Sequence, residues 1–97
     1  MKNVVWKYEI PVADIDEFTL QLPSGADIIH VDVQHGKPQM WALIDPTAEL
    51  TECRFILRET GETIETGMFL FYQGTFQLDE GDSVFHVFES REVPSLV

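Results

Sequence analysis

Hydrophobic residues in this chain recur at every second position, in short runs separated by turn-forming residues, and no other feature restricts its fold as much. A period of two places successive side chains on opposite faces of an extended strand, whereas an amphipathic helix needs spacings of three and four. Val4, Trp6, Tyr8 and Ile10 share one face of the first run, with Lys7 and Glu9 opposite. Pro11 ends that run because proline cannot donate to a strand ladder. Phe18, Leu20 and Leu22 then alternate with Thr19 and Gln21 as far as Pro23-Ser24-Gly25. In residues 28–34 the pattern turns Ile29, Val31 and Val33 inward and His30, Asp32 and Gln34 outward. His35-Gly36-Lys37 reads as a hairpin turn. Residues 39–45 are apolar on both sides, Trp41 and Leu43 against Met40, Ala42 and Ile44, which marks a central strand.

Beyond Asp45-Pro46, residues 47–51 could hold one helical turn and are too short for more. Residues 52–59 set Cys53, Phe55 and Leu57 against Arg54, Ile56 and Arg58. The polar stretch 61–67 reads as an exposed loop. Residues 68–72 and 75–78 form one long strand with a bulge or bend at Gln73-Gly74. Asp79-Glu80-Gly81-Asp82 makes a tight hairpin into a last strand over 83–89. The expectation is an all-β fold, a small antiparallel sandwich or partly open barrel of about seven strands. Residues 1–89 form the single β domain, and 90–97 are expected to be a loose tail.

The apolar share of 44% suits a globular chain, and 97 residues leave room for one core. A ligand is therefore expected in a shallow groove or at an interface, and no cofactor is expected. The lone Cys53 cannot close an internal disulfide and falls in an alternating segment, where a buried, inert thiol is the ordinary outcome. With no continuous apolar stretch after Met1, these features point to the cytoplasm. Seventeen acidic groups against six basic ones give a net charge of −11. That field opposes direct nucleic-acid and membrane binding, both of which rely on Lys and Arg, and is compatible with a basic protein partner or a cation.

Three stretches resemble an uncharacterised family of small proteins from bacteriophages and prophage-bearing bacteria. They are Trp6-Lys7-Tyr8-Glu9-Ile10-Pro11, then Met40-Trp41-Ala42-Leu43-Ile44-Asp45-Pro46, then Gly74-Thr75-Phe76-Gln77-Leu78 followed by Val84-Phe85-His86-Val87-Phe88-Glu89. The likeness spans roughly residues 5 to 89, consists of core-strand residues and speaks to fold. After Thr60-Gly61, where relatives often carry histidine, this chain has Glu62, so no role of a histidine there carries over. The resemblance brings no established activity with it. It implies a genetic setting, mobile elements, in which small acidic proteins act by binding host factors.

Motif spacing gives little support to catalysis. His30, His35 and His86 lack the spacing that forces zinc ligands to converge, although His30 and Asp32 share a strand face that His86 would join if the strands pair; no metal is expected. The clusters Asp14, Asp16, Glu17 and Asp79, Glu80, Asp82 fit turns at least as well as acid–base pairs or calcium loops. Ser24, Ser83, Ser90 and Ser95 have no nucleophile-elbow setting, and no phosphate loop is present. No catalytic residue is assigned and the chain is read as a non-enzyme.

Phe69-Leu70-Phe71-Tyr72 is the functional hint, because a continuous apolar run either buries both faces or presents one to a partner. The leading expectation is an interaction protein of phage or prophage origin, binding a host or phage protein through Phe69, Phe71, Tyr72, Asp79, Glu80 and Asp82. In one version its acidic surface imitates nucleic-acid phosphates and inhibits a defence protein. The alternatives are a homo-oligomer that sequesters a small molecule such as a nucleotide through Arg54, Arg58 and Lys37, and a virion or assembly component.

Overall fold

A computed structural model describes residues 3–11, 16–65 and 69–91. Seven strands are present among them: β1 (Val4–Glu9), β2 (Glu17–Pro23), β3 (Asp27–Gln34), β4 (Lys37–Ile44), β5 (Leu50–Glu59), β6 (Leu70–Leu78) and β7 (Ser83–Ser90). They form two antiparallel sheets, one in the order β1-β4-β3 and the other β2-β5-β7-β6, with no closed barrel. The only helical element described is the short 3-10 turn Asp79–Gly81.

Local chemistry explains the boundaries. β3 and β4 are joined by His35-Gly36, both left-handed (φ 53° and 75°), the two-residue turn whose twist matches that of paired strands. Pro38 lies inside β4, its carbonyl accepting from the Ile10 amide at 2.9 Å. It has no N–H to return, so the β1–β4 ladder stops at Glu9↔Gln39. The doubly apolar segment is central in its sheet, as its pattern requires, although β4 runs from Lys37 to Ile44 and leaves Asp45 outside.

Three expectations need correction. Ile29 does not point inward: a bulge between Ile28 and His30 leaves it 54% exposed, and Ile28 packs on the core instead. Residues 47–51 hold no helical turn. The Asp45 carboxylate accepts from both the amide and the hydroxyl of Thr47 (2.9 and 2.6 Å), the Ala48 amide closes on the Asp45 carbonyl, and Leu50 already begins β5. The last strand runs one residue past its expected end: β7 continues through Ser90, and the Arg91 amide donates to the Phe69 carbonyl. Residues 92–97 and Met68 lie outside the described residues.

The core lies between the sheets and draws on every strand but β1, with Ile10 contributed just beyond β1's end. It consists of Ile10, Phe18, Leu22, Val31, Met40, Phe55, Leu57, Phe76 and Val87. Phe18 stacks on Phe55 and Phe76 on Phe85, with ring centroids 5.2 and 5.4 Å apart. β5 carries the expected division, Phe55 and Leu57 inside with Arg54 and Arg58 outside; Ile56, on the outer side, is buried as well.

β3 packs against β6, so the sandwich closes along that side. The two strands come close at Gly74, where a Cβ would lie 2.6 Å from both Cβ and Cγ2 of Val31. The register shift between Tyr72 and Gly74 leaves Gln73 as the bulged residue, as the glycine suggested. Gly74→Ala is expected to destabilise the fold by about 2–3 kcal/mol through overpacking. In a urea-unfolding cycle Val31→Ala should return part of that loss, with a coupling of at least about 1 kcal/mol.

Tyr8 reaches inward from β1 and packs against the core, and its buried hydroxyl has no hydrogen-bond partner. Burial, and secondarily the neighbouring Cys53, push its phenol pKa up. An unpaired buried hydroxyl costs about 1–3 kcal/mol, which phenylalanine would not incur. Tyr8→Phe should therefore raise the unfolding midpoint, and a lowered midpoint would show that the hydroxyl has a partner in solution.

Candidate protein-binding surface

Register divides the four-stranded sheet into two faces. Cys53, Phe55 and Leu57 of β5 look into the core beside Val87 and Glu89 of β7. Arg54, Ile56 and Arg58 look outward beside Ser90, Phe88 and His86. On β6, Phe71 lies across from Glu89 and Tyr72 across from Phe88. The two adjacent aromatics therefore leave the strand on opposite faces. Phe69, Phe71 and Tyr72 are 54%, 42% and 61% exposed. Tyr72 meets Phe88 edge-on, and the Arg91 guanidinium sits 4.0 Å above the Phe71 ring.

A polar row crosses the outer face. Thr60 and Thr75 hydroxyls lie 2.8 and 3.0 Å from Nε2 and Nδ1 of His86, and the Tyr72 hydroxyl lies 2.6 Å from Thr75 Oγ1. Both imidazole nitrogens are therefore engaged by hydroxyls, each of which can donate or accept, and the row anchors Tyr72 while its ring stays exposed.

At the end of β7 lies an open cleft of about 600 Å³, lined among others by Glu52, Cys53, Arg54, Glu89 and Arg91. Arg54 Nη2 is 2.6 Å from Glu17 Oε2, and Arg91 Nε pairs with Glu89 Oε1. Burial pushes the Cys53 thiol pKa up, outweighing the hydrogen bond from Thr51.

The residues expected to contact a partner fall into two groups that the fold keeps apart. Phe69, Phe71 and Tyr72 stand at the start of β6, and Asp79, Glu80 and Asp82 stand at its far end, roughly 20 Å away at about 3.3 Å per residue. The acidic turn is itself unusual, since Asp79 and Glu80 both adopt left-handed backbone (φ 53° and 57°). The alternative trio is not assembled. Arg58 donates to the carbonyls of Asp16, Leu57 and Thr63 and pairs with Glu65 at 2.8 Å, leaving its side chain 12% exposed. A backbone amide and that guanidinium hold the Glu65 carboxyl below its usual range. Lys37 belongs to the other sheet, 3.8 Å from Glu9. His30 Nε2 lies 3.4 Å from Asp32 Oδ2 on the three-stranded sheet, whereas His86 is on the four-stranded one. Among the described residues no three His, Cys, Asp or Glu side chains converge as metal ligands.

Sequence reasoning missed Glu52, Arg91 and the His86 row. Arg91 and the row are set by cross-strand register, and no spacing along the chain signals either.

The chain belongs to a family described as a domain of unknown function, DUF7352, which matches residues 1–96. No curated protein and no solved structure matches it. Among the described residues no helix is long and apolar enough to cross a membrane.

The raised Cys53 pKa has a measurable consequence. Only the thiolate attacks iodoacetamide, so at neutral pH Cys53 should alkylate several-fold more slowly than free cysteine, followed by intact mass. A rate equal to that of free cysteine would place the thiol in an environment unlike the one described.

Proposed function

We propose that this DUF7352 member is a binding module rather than an enzyme, and that its partner is a protein with a basic surface. The observation that carries the reading is the aromatic end of β6, where Phe69, Phe71 and Tyr72 stand exposed on a chain of net charge −11. Exposed aromatics grouped at one place are what interfaces use as anchors, and a surrounding negative field steers a basic partner towards them. The same field opposes nucleic acid and anionic membrane as direct ligands. The resemblance to phage and prophage proteins suggests a host cytoplasm as the setting and a host or phage protein as the partner. A defence protein whose basic cleft accepts an acidic surface is one such partner. Sequestration of a nucleotide by an oligomer is less well supported, because Arg58 is held by backbone carbonyls and Glu65 while Lys37 lies on the other sheet.

The test is affinity capture from bacterial lysate on the immobilised chain at low and at moderate salt, with native mass measured alongside. Capture is expected to fall steeply as salt rises. It should also fall at least about tenfold in Tyr72→Ala, a loss typical of an interface anchor. Neutralising Asp79, Glu80 and Asp82 together should weaken the salt dependence without abolishing capture. Capture indifferent to both salt and Tyr72 would overturn the reading.

A further inference from the structure

The backbone of β5 offers a binding feature that side-chain inspection does not reveal. Successive residues of a strand direct their N–H and C=O groups to alternate edges. The Leu57 amide donates to the Asp16 carbonyl at 2.8 Å, so odd-numbered residues of β5 face β2. Even-numbered residues face β7, as the Thr60 amide does where it donates to the Val84 carbonyl at 3.0 Å. The β5–β7 pairing ends at Arg54↔Ser90, whereas the β2–β5 pairing continues to Pro23↔Leu50. The main-chain groups of Glu52 and Leu50 thus point past the end of β7, with no described strand opposite them, and Glu52 lines the 600 Å³ cleft.

We infer that this half-edge of β5, Leu50 to Glu52, takes an extended segment of a partner protein as an added strand, with a basic side chain opposite Glu52 and an apolar one opposite Leu50. The inference rests on the protein-binding reading and names its mode. Leu50 is 59% exposed, and Glu52 is exposed with no cation paired to it among the described residues, whereas Arg54 and Arg91, beside it, already hold Glu17 and Glu89. Leu50 and Glu52 share the outer face, so an added strand running as β7 does would present basic, any residue, apolar in that order. Arg91, which lines the cleft, donates its amide to the Phe69 carbonyl and so links the cleft to the first of the exposed aromatics.

The experiment uses the full ¹⁵N-labelled chain and two blocked peptides, Thr-Lys-Thr-Val-Thr and the same peptide with Glu in place of Lys. With the Lys peptide, the Glu52 and Leu50 amides are expected to shift in the NMR spectrum and to exchange more slowly. The Lys peptide should bind about threefold to tenfold more tightly than its Glu counterpart, the range that cross-strand charge pairs allow. In Glu52→Gln, an exposed substitution, that preference should shrink towards unity while the amide protection persists. Peptides that leave those two amides unprotected, or a charge preference unchanged in Glu52→Gln, would overturn the inference. If that happens while lysate capture still depends on salt and Tyr72, strand addition is removed and protein binding stands. If capture also loses both dependences, the broader reading falls with it.

Discussion

The passage of β6 across Val31 at Gly74 is the contact on which the rest of the molecule depends. Only a residue without a Cβ lets the two backbones come that close, and their approach closes one side of the sandwich. β3 and β6 are edge strands of their own sheets, so the opposite edges, β1 and β2, lie on the other side. The bulge at Gln73 belongs to the same feature. Without the extra residue, Tyr72 would share the inward phase of Gly74 and Phe76. With it, Tyr72 turns outward onto Thr75 and Phe88. One local irregularity thus positions β6 against β3 and exposes the ring that the functional reading relies on.

Charge is distributed unevenly over this frame. Each arginine has a carboxylate partner: Arg54 with Glu17, Arg58 with Glu65, Arg91 with Glu89. Exposed ion pairs add little to stability, so Arg54 and Arg91 mainly cancel charge locally. Arg58 acts differently. It is largely covered and donates to three backbone carbonyls, tying residues 63–65 and Asp16 to β5. Among the described residues, no cation is paired with the carboxylates of the Asp79–Asp82 turn or of Glu52. The long-range field is therefore acidic even though every guanidinium is engaged nearby.

Much of the fold was legible because alternation is a local property. Cys53 to Arg58 could be assigned to two faces from sequence alone, and the doubly apolar stretch around Trp41 identified a central strand. The failures are instructive for the same reason. Ile28-Ile29 offers two equivalent apolar residues in succession, and only pairing with β4 decides which is the bulge. Residues 47–51 look helical by composition, but the Asp45 side chain supplies the acceptor for a turn instead. At the candidate site the aromatic run was visible in the sequence, but its exposure was not: Phe55-Ile56-Leu57 is an equally continuous apolar run and is buried on both faces. The distance separating the aromatic run from the acidic turn was readable only in outline. The half-edge of β5 was not readable at all, because it arises from where β7 stops relative to β2. That offset is a relation between strands far apart in sequence.

An open half-edge in a small β protein is ordinarily a liability, since unpaired main-chain groups recruit any extended chain, including a second copy. Here the sequence around the gap restricts which chain can enter. Glu52 repels an acidic segment, and a net charge of −11 opposes close approach of an identical molecule. A basic, extended segment meets neither of these obstacles and gains both main-chain bonds and a charge pair. The acidity that is compatible with a basic partner then acquires a structural role: it keeps an otherwise permissive edge selective, and it does so without covering the backbone that a partner would use.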